Sequence, residues 1–279
     1  VPNLNPLALL TLSLLGICVA DCRPRREAQA PGAHAPGVEA ECSNGASRGQ
    51  PPYRYENNEW GYNKAHGAFE QCLLERTVAE GTQRGWSWNW PGLDTSVFAY
   101  PEIIYGWKPW TGGTSSDPRF PLKLSQMQQL SIHYDVETEA SGSYNLAPEV
   151  WLVRNRSPAG QANPGLISAE VMFWVEAAGA ARPAGSIVDR PQINGVQYEL
   201  WLQDNAGADG SRSGWRLLSL KLPTVQRSGT IPVSDLLRYL AAKGYVDPAH
   251  YVAGVEFGNE ISGGRGTTWV KTFSVEVSP

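Results

Sequence analysis

The chain has 279 residues, with 23 Lys and Arg against 27 Asp and Glu, a formal net charge of −4. That balance excludes the broad cationic face that nucleic-acid binding requires, and 42% hydrophobic with only 18% charged residues excludes a disordered chain. Eleven Trp and eleven Tyr are more large rings than a core readily absorbs, so the surplus points to exposed or cleft-lining aromatic faces, natural partners for sugar rings.

Residues 7–20 (LALLTLSLLGICVA) form a short apolar run ending in small residues. It reads as the h-region and cleavage site of a secretory signal peptide covering 1–20, with Ala20 at the cut. A buried N-terminal helix is the alternative. Cys22 weakly resembles a lipoprotein anchor site, so the expected location is secreted or extracellular with or without a lipid anchor. Residues 21–40 are rich in Pro, Ala and charge and read as a linker. One folded domain is expected over 41–279. No later run reaches the roughly 20 apolar residues of a membrane span.

Cys42 and Cys72 are the two cysteines left beyond the apolar run and its flank. In an oxidising compartment they read as one disulfide, with two unpaired thiols as the alternative. His34, His66, His133 and His250 are scattered, and no CxxC, HExxH or EF-hand loop occurs. No metal and no cofactor is expected.

From there the chain reads as strand after strand, separated by turns rich in Gly, Pro, Asn and Ser. Strand composition marks residues 97–100, 130–134, 150–153, 170–175, 198–203, 215–222, 251–257 and 268–277. One helix stands out: Ser234 as N-cap, Leu236, Leu237 and Leu240 at helical spacing, Gly244 as the C′ residue. Many strands and one short helix without βαβ alternation predict an all-β fold, a jelly-roll sandwich of two antiparallel sheets.

Chemistry is sought among carboxylates on apolar strands. A period of two puts Glu170, Met172 and Trp174 on one strand face and Val171, Phe173 and Val175 on the other. An acid among aromatics fits the floor of a substrate cleft on the concave face of a sheet, and equally an ordinary surface Glu beside surface rings. Glu260 ends the run Phe257-Gly258-Asn259-Glu260, and Glu149 lies two residues before Trp151. Two acids across a groove are what glycosidic cleavage needs: one protonates the leaving oxygen while the other attacks the anomeric carbon or activates water. No Cys with an evident His partner supports nucleophilic Cys chemistry.

Several motifs in order carry a resemblance. Residues 57–61 (NNEWG) resemble an NNLWG element, and Trp88-Asn89-Trp90 followed by residues 97–101 (VFAYP) resembles a W-x-W and a VKSYP element. Residues 170–174 (EVMFW) resemble E-[IL]-M-I-W, Pro183-Ala184-Gly185 a P-I-G turn, and Phe257-Gly258-Asn259-Glu260 with Gly264 and Gly266 an FGTE…GxG element. Together they resemble glycoside hydrolase family 12, the small jelly-roll endo-β-1,4-glucanases and xyloglucanases, over roughly residues 42–279.

The resemblance implies a retaining mechanism with Glu170 as nucleophile and Glu260 as acid/base. Glu149 stands where the family usually has Asp, as a helper with an arm one methylene longer. Trp60 is implied to stack on a glucosyl ring, Asn58 to bond its hydroxyls, and Met172 and Trp174 to line the floor. It also fits the Cys42–Cys72 pairing. Glu256 mimics a GxE motif four residues earlier and is the fallback for Glu260. Asn259 replaces a usual Thr, and residues 154–168 form a polar insertion. The aromatic stretch 101–110 suits either a substrate platform or packing. The implied partner is a polysaccharide (cellulose-type, mixed-linkage glucan or xyloglucan), and the default state is a monomer. A transglycosylase would use the same intermediate. A non-catalytic carbohydrate-binding jelly roll is the reading from another class.

Overall fold

The computed structural model describes residues 36–93, 96–156, 162–208 and 214–279. The signal-peptide reading, Cys22 and most of the linker lie outside the described residues. The strands in chain order are β1 (Val38–Glu41), β2 (Ser47–Gln50), β3 (Tyr53–Glu56), β4 (Glu70–Val78), β5 (Gly81–Leu93), β6 (Glu102–Gly106), β7 (Leu122–Lys123), β8 (Gln129–Val153) and β9 (Ile167–Trp174). They continue with β10 (Glu176–Ala178), β11 (Ser186–Asp189), β12 (Gln192–Ile193), β13 (Val196–Gln197), β14 (Glu199–Ala206), β15 (Trp215–Lys221), β16 (Ser228–Ile231), β17 (Tyr251–Gly258) and β18 (Ile261–Ser278). The first of them, β1, already starts within the stretch read as linker and pairs with β4.

These strands build two layers joined through β8. The first layer runs β1-β4-β5-β18-β8, using the N-terminal part of the long strand. The second runs β2-β3-β6-β17-β8-β9-β15-β14-β11, using its C-terminal part. Where β18 pairs with β8, Gly264 has φ +94, and a Cβ there would stand 2.1 Å from the Ser141 carbonyl oxygen. Only glycine fits that approach. The layers are antiparallel as expected, with one exception. β15 lies parallel to β9, Leu217 opposite Glu170, because the β14–β15 hairpin enters the sheet with its second strand against β9.

The core fills the space between the layers with alternate residues of each strand. Val150 and Leu152 of β8, Val171 and Phe173 of β9, and Val255 and Phe257 of β17 face it from the second layer. Trp86, Trp88 and Trp90 face it from β5 in the first. The tryptophan surplus is therefore largely interior: the W-x-W element is core, and Trp60 is the one Trp among the described residues that is strongly exposed. The helix α1 (Val233–Ala242) buries Leu236, Leu237 and Leu240 against the same core. Its start differs from expectation. Pro232 is the N-cap, and Ser234 is buried inside the first turn without a capping bond. The Pro232 carbonyl accepts instead from the amides of Asp235 and Leu236. Gly244 follows the C-cap Lys243 with φ +75, as a C′ glycine should.

Residues 97–100 do not form the expected strand; only Ala99 bridges to Ile261. The segment divides its hydrogen bonds between two neighbours. The Phe98 amide donates to Ile261 while the Phe98 carbonyl accepts from Gly61, and the Tyr100 amide donates to Asn58. No single ladder can run along it. Cys42 and Cys72 are disulfide-bonded, tying the end of β1 to β4. No helix among the described residues is long and apolar enough to cross a membrane.

Candidate active site

The site is the outer face of the second layer. With inner positions committed to the core, the alternate residues of each strand must face outward. On β9 these are Glu170, Met172 and Trp174, and on β8 they are Glu149 and Trp151. Across the ladders Glu149 stands opposite Met172 on one side and Glu256 on the other, and Trp151 stands opposite Glu170. Glu102 of β6 and Glu56 of β3 extend the row, opposite one another in register. A line of carboxylates thus crosses five adjacent strands.

Glu170 is 8% exposed. Its Oε2 accepts a hydrogen bond from Trp215 Nε1 at 2.7 Å. Burial and the nearby Glu260 charge push its carboxyl up to about 8, against the stabilising indole N–H. Glu260 sits in the turn from β17 to β18, held by Asn145 of β8. The Asn145 amide donates to Glu260 Oε2 at 2.5 Å, and the Glu260 backbone N–H donates to Asn145 Oδ1 at 3.0 Å. Burial pushes the Glu260 carboxyl up to about 7, with the Asn145 bond opposing.

Asn259 anchors the turn from beneath. Its Oδ1 accepts from Trp86 Nε1 at 2.8 Å and from the Thr268 hydroxyl at 2.9 Å, while its amide donates to the Asn145 carbonyl at 2.7 Å. The chain therefore brings Glu170 and Glu260 together and fixes the second through a buried amide network. Glu149 joins them. It is buried, and burial followed by the charges of Glu170, Glu256, Glu102 and Glu260 raises it well above the ordinary carboxyl range.

Glu256, the alternative to Glu260, belongs to a different constellation. Lys108 Nζ donates to Glu102 Oε1 at 2.5 Å and Glu56 Oε1 at 3.1 Å, and lies 3.8 Å from Glu256 Oε2. Glu102 Oε2 and Glu256 Oε1 are buried without a hydrogen-bond partner among the described residues. Burial, then the Glu256 charge, raises Glu102 well above the ordinary range. Lys108 thus gathers three buried carboxyls, of which Glu256, on β17, is the nearest in the sheet order, two strands over from the β9 that carries Glu170.

The residues implied to bind sugar are placed unequally. Trp60 is 53% exposed, and Lys64 Nζ lies over its ring at 4.6 Å from the centroid. The Asn58 amide donates to Glu102 Oε1 at 2.9 Å, tying the Asn57–Asn58 turn to the carboxylate row. Met172 and Trp174 share the face of Glu170 but are buried beneath a cluster with Ala147, Ala177, Ala181 and Leu217. The Trp174 indole N–H points to Met172 Sδ at 3.5 Å. In the 101–110 stretch Trp107 is buried, and Trp110 packs edge-on against Trp151 and Trp215. Residues 157–161 of the polar insertion lie outside the described residues.

Reading by sequence missed Asn145, Trp215, Lys108 and Glu102. Each comes from a strand or loop whose spacing to the motif acids carries no signal, Asn145 lying 115 residues from Glu260. Outward parity on an otherwise apolar strand marks Asn145, and a Lys in an aromatic stretch marks Lys108.

A two-layer all-β fold with paired, raised carboxyls on an outer sheet face defines a class: the sandwich glycosidases. The profile of glycosyl hydrolase family 12 matches residues 51–278, and the chain belongs to that family. It is 27% identical over 246 residues to endoglucanase S of Pectobacterium parmentieri, covering 85% of this chain and 88% of that one. It is 24% identical over 231 residues to a probable xyloglucan-specific endo-β-1,4-glucanase A of Aspergillus clavatus, covering 80% and 85%. The structure of a family 12 xyloglucanase from Bacillus licheniformis in complex with ligand superposes with a TM-score of 0.75 at 27% identity, covering 86% of this chain and 100% of that one.

Proposed function

We propose that the protein is a secreted endo-acting β-1,4-glucanase that cleaves with retention of configuration. The observation that carries this reading is that Glu170 and Glu260 are each held by a directed hydrogen bond, Trp215 Nε1 to Glu170 Oε2 and the Asn145 amide to Glu260 Oε2. In this reading Glu170 attacks the anomeric carbon as a carboxylate while Glu260 gives its proton to the departing glycosidic oxygen. A glycosyl ester on Glu170 results. Glu260, now a base, takes a proton from water, whose oxygen displaces Glu170 from the anomeric carbon. The scheme needs one proton on the pair at the outset. Two close, buried carboxyls titrate as a unit and hold one proton well above the usual carboxyl range.

Glu149 supports the pair as an additional buried group facing both. Trp60, exposed with Lys64 over its ring, supplies a stacking platform, and Asn58, two residues before it, donates to Glu102 of the carboxylate row. The outer face of the second layer is the substrate face. The relatives named for endoglucanase and for xyloglucan-specific activity support a β-1,4-glucan backbone as substrate. Secretion rests on the apolar run at 7–20 and on the oxidised cysteine pair.

The test is reducing-end release by the protein from xyloglucan, mixed-linkage β-glucan and a soluble cellulose derivative, with Glu170→Gln in parallel. Release that falls by at least a thousandfold in the variant supports the reading, and the preferred polymer fixes the substrate. Binding to the polymers without any release by the wild type sinks it in favour of a non-catalytic module.

A further inference from the structure

Trp215 opens β15, and alternation places its ring on the outer face, two residues before the Leu217 that pairs with Glu170. Its indole N–H reaches Glu170 Oε2 at 2.7 Å. The ring does not stand alone. It meets Trp110 edge-on at 5.3 Å between centroids and 70°, and Trp151 at 5.6 Å and 73°. Trp110 and Trp151 meet each other at 5.3 Å and 80°. Each ring of this triangle is held by the other two, in edge-to-face geometry that aromatic pairs favour. Trp151 also stands directly opposite Glu170 across the β8–β9 ladder.

An indole N–H is a donor only and turns only with its ring. A ring wedged on two sides therefore aims a fixed donor at one carboxylate oxygen. A rotatable hydroxyl could swing away or accept a proton; this group can do neither. We propose that Trp215 is the positioning residue of Glu170, fixing the orientation of its carboxylate through Oε2 so that Oε1 is presented to the anomeric carbon, and that Trp110 and Trp151 are the buttress of that donor. The proposal rests on the reading of Glu170 as nucleophile. It also assigns the aromatic 101–110 stretch a task, since Trp110 belongs to it.

The titratable groups that face Glu170 are Glu260, from the turn before β18, and Glu149, from β8. Both, when ionised, favour the protonated form of Glu170. The β15 side presents Leu217 and Trp215, which carry no charge. The indole donor is thus the counterweight that favours the ionised nucleophile, and its removal must shift the acidic limb of the rate profile upward.

The test is the kcat/KM pH profile of Trp215→Phe, which keeps a ring and loses the donor. The expected result is a fall in kcat/KM of at least tenfold at neutral pH, carried by kcat, with the acidic limb moved up by about one pH unit. Trp110→Ala, which leaves the donor in place but unbuttressed, is expected to move the same limb in the same direction by less. An acidic limb that stays put in both variants overturns the proposal, whatever happens to the rate. Trp110→Ala alone decides the matter if Trp215→Phe does not fold. Glu170→Gln run beside them separates the two readings. If it retains activity, the nucleophile assignment fails. If it is inactive while both tryptophan variants keep the wild-type limb, only the positioning role fails.

Discussion

Glu170 shows what a buried carboxyl costs. Its folded-state value of about 8 lies far above that of an exposed glutamate, so between the ordinary carboxyl range and pH 8 the folded protein binds more protons than the unfolded chain. Stability must then fall as pH rises through that window, and the loss is absent below the unfolded value, where the group is protonated in both states. Replacing the group by a neutral isostere removes the loss. Glu170→Gln is expected to raise Tm by a few degrees at pH 8, on the order of 1–3 kcal/mol, and to leave it nearly unchanged at pH 4. Calorimetry at the two pH values checks this; a variant less stable at pH 8 contradicts the burial argument. Glu260 has Asn145 and Glu170 has Trp215, each a donor that offsets part of the cost of charge.

At the scale of elements, the carboxylate row depends on strands that are far apart in the chain and adjacent in the sheet. Lys108 lies just beyond β6 and gathers Glu56 from β3, Glu102 from β6 and Glu256 from β17. Its side chain is 3% exposed, so the cation and its partners were all taken out of water. Removing one member leaves charge buried without compensation, which costs about 3–5 kcal/mol. Lys108→Met is therefore expected to lower the unfolding free energy by an amount in that range at neutral pH, read as a lower denaturant midpoint. A midpoint within experimental error of wild type would mean that the glutamates simply take up protons and that Lys108 is dispensable. None of this network was legible beforehand. Strand periodicity could place Glu256 on the outer face, and the GxE pattern drew attention to it, but pairing between β6 and β17 sets its partners. The helix shows the same limit at smaller size. Its apolar spacing and Gly244 could be read directly, while Ser234 could not be told from a cap because Pro232 ahead of it takes the capping position.

At the scale of the whole molecule, the all-β class was legible, as were the strand that carries Glu170 and the turn that carries Glu260, because these depend on local pattern. Alternation on β9 fixes which side Glu170 faces, and the ordered motifs carry the resemblance. What remained hidden is long-range. The parallel placement of β15 beside β9 brings Trp215 to Glu170, and no local signal encodes it. The tryptophans illustrate the converse. Composition alone pointed outward, but Trp86, Trp88 and Trp90 line the core at every second position of β5, as period two requires of a strand whose inner face is covered. The fold thus spends one aromatic group on the core, a second on the wedge beside Glu170, and leaves Trp60 open.

The central claim is that these paired carboxyls cleave by double displacement. The most direct measurement is proton NMR of the first sugar anomer released from a soluble β-1,4-glucan, recorded before mutarotation. The account predicts the β anomer as the initial product. Initial appearance of the α anomer would mean single displacement by water, and would contradict Glu170 as nucleophile.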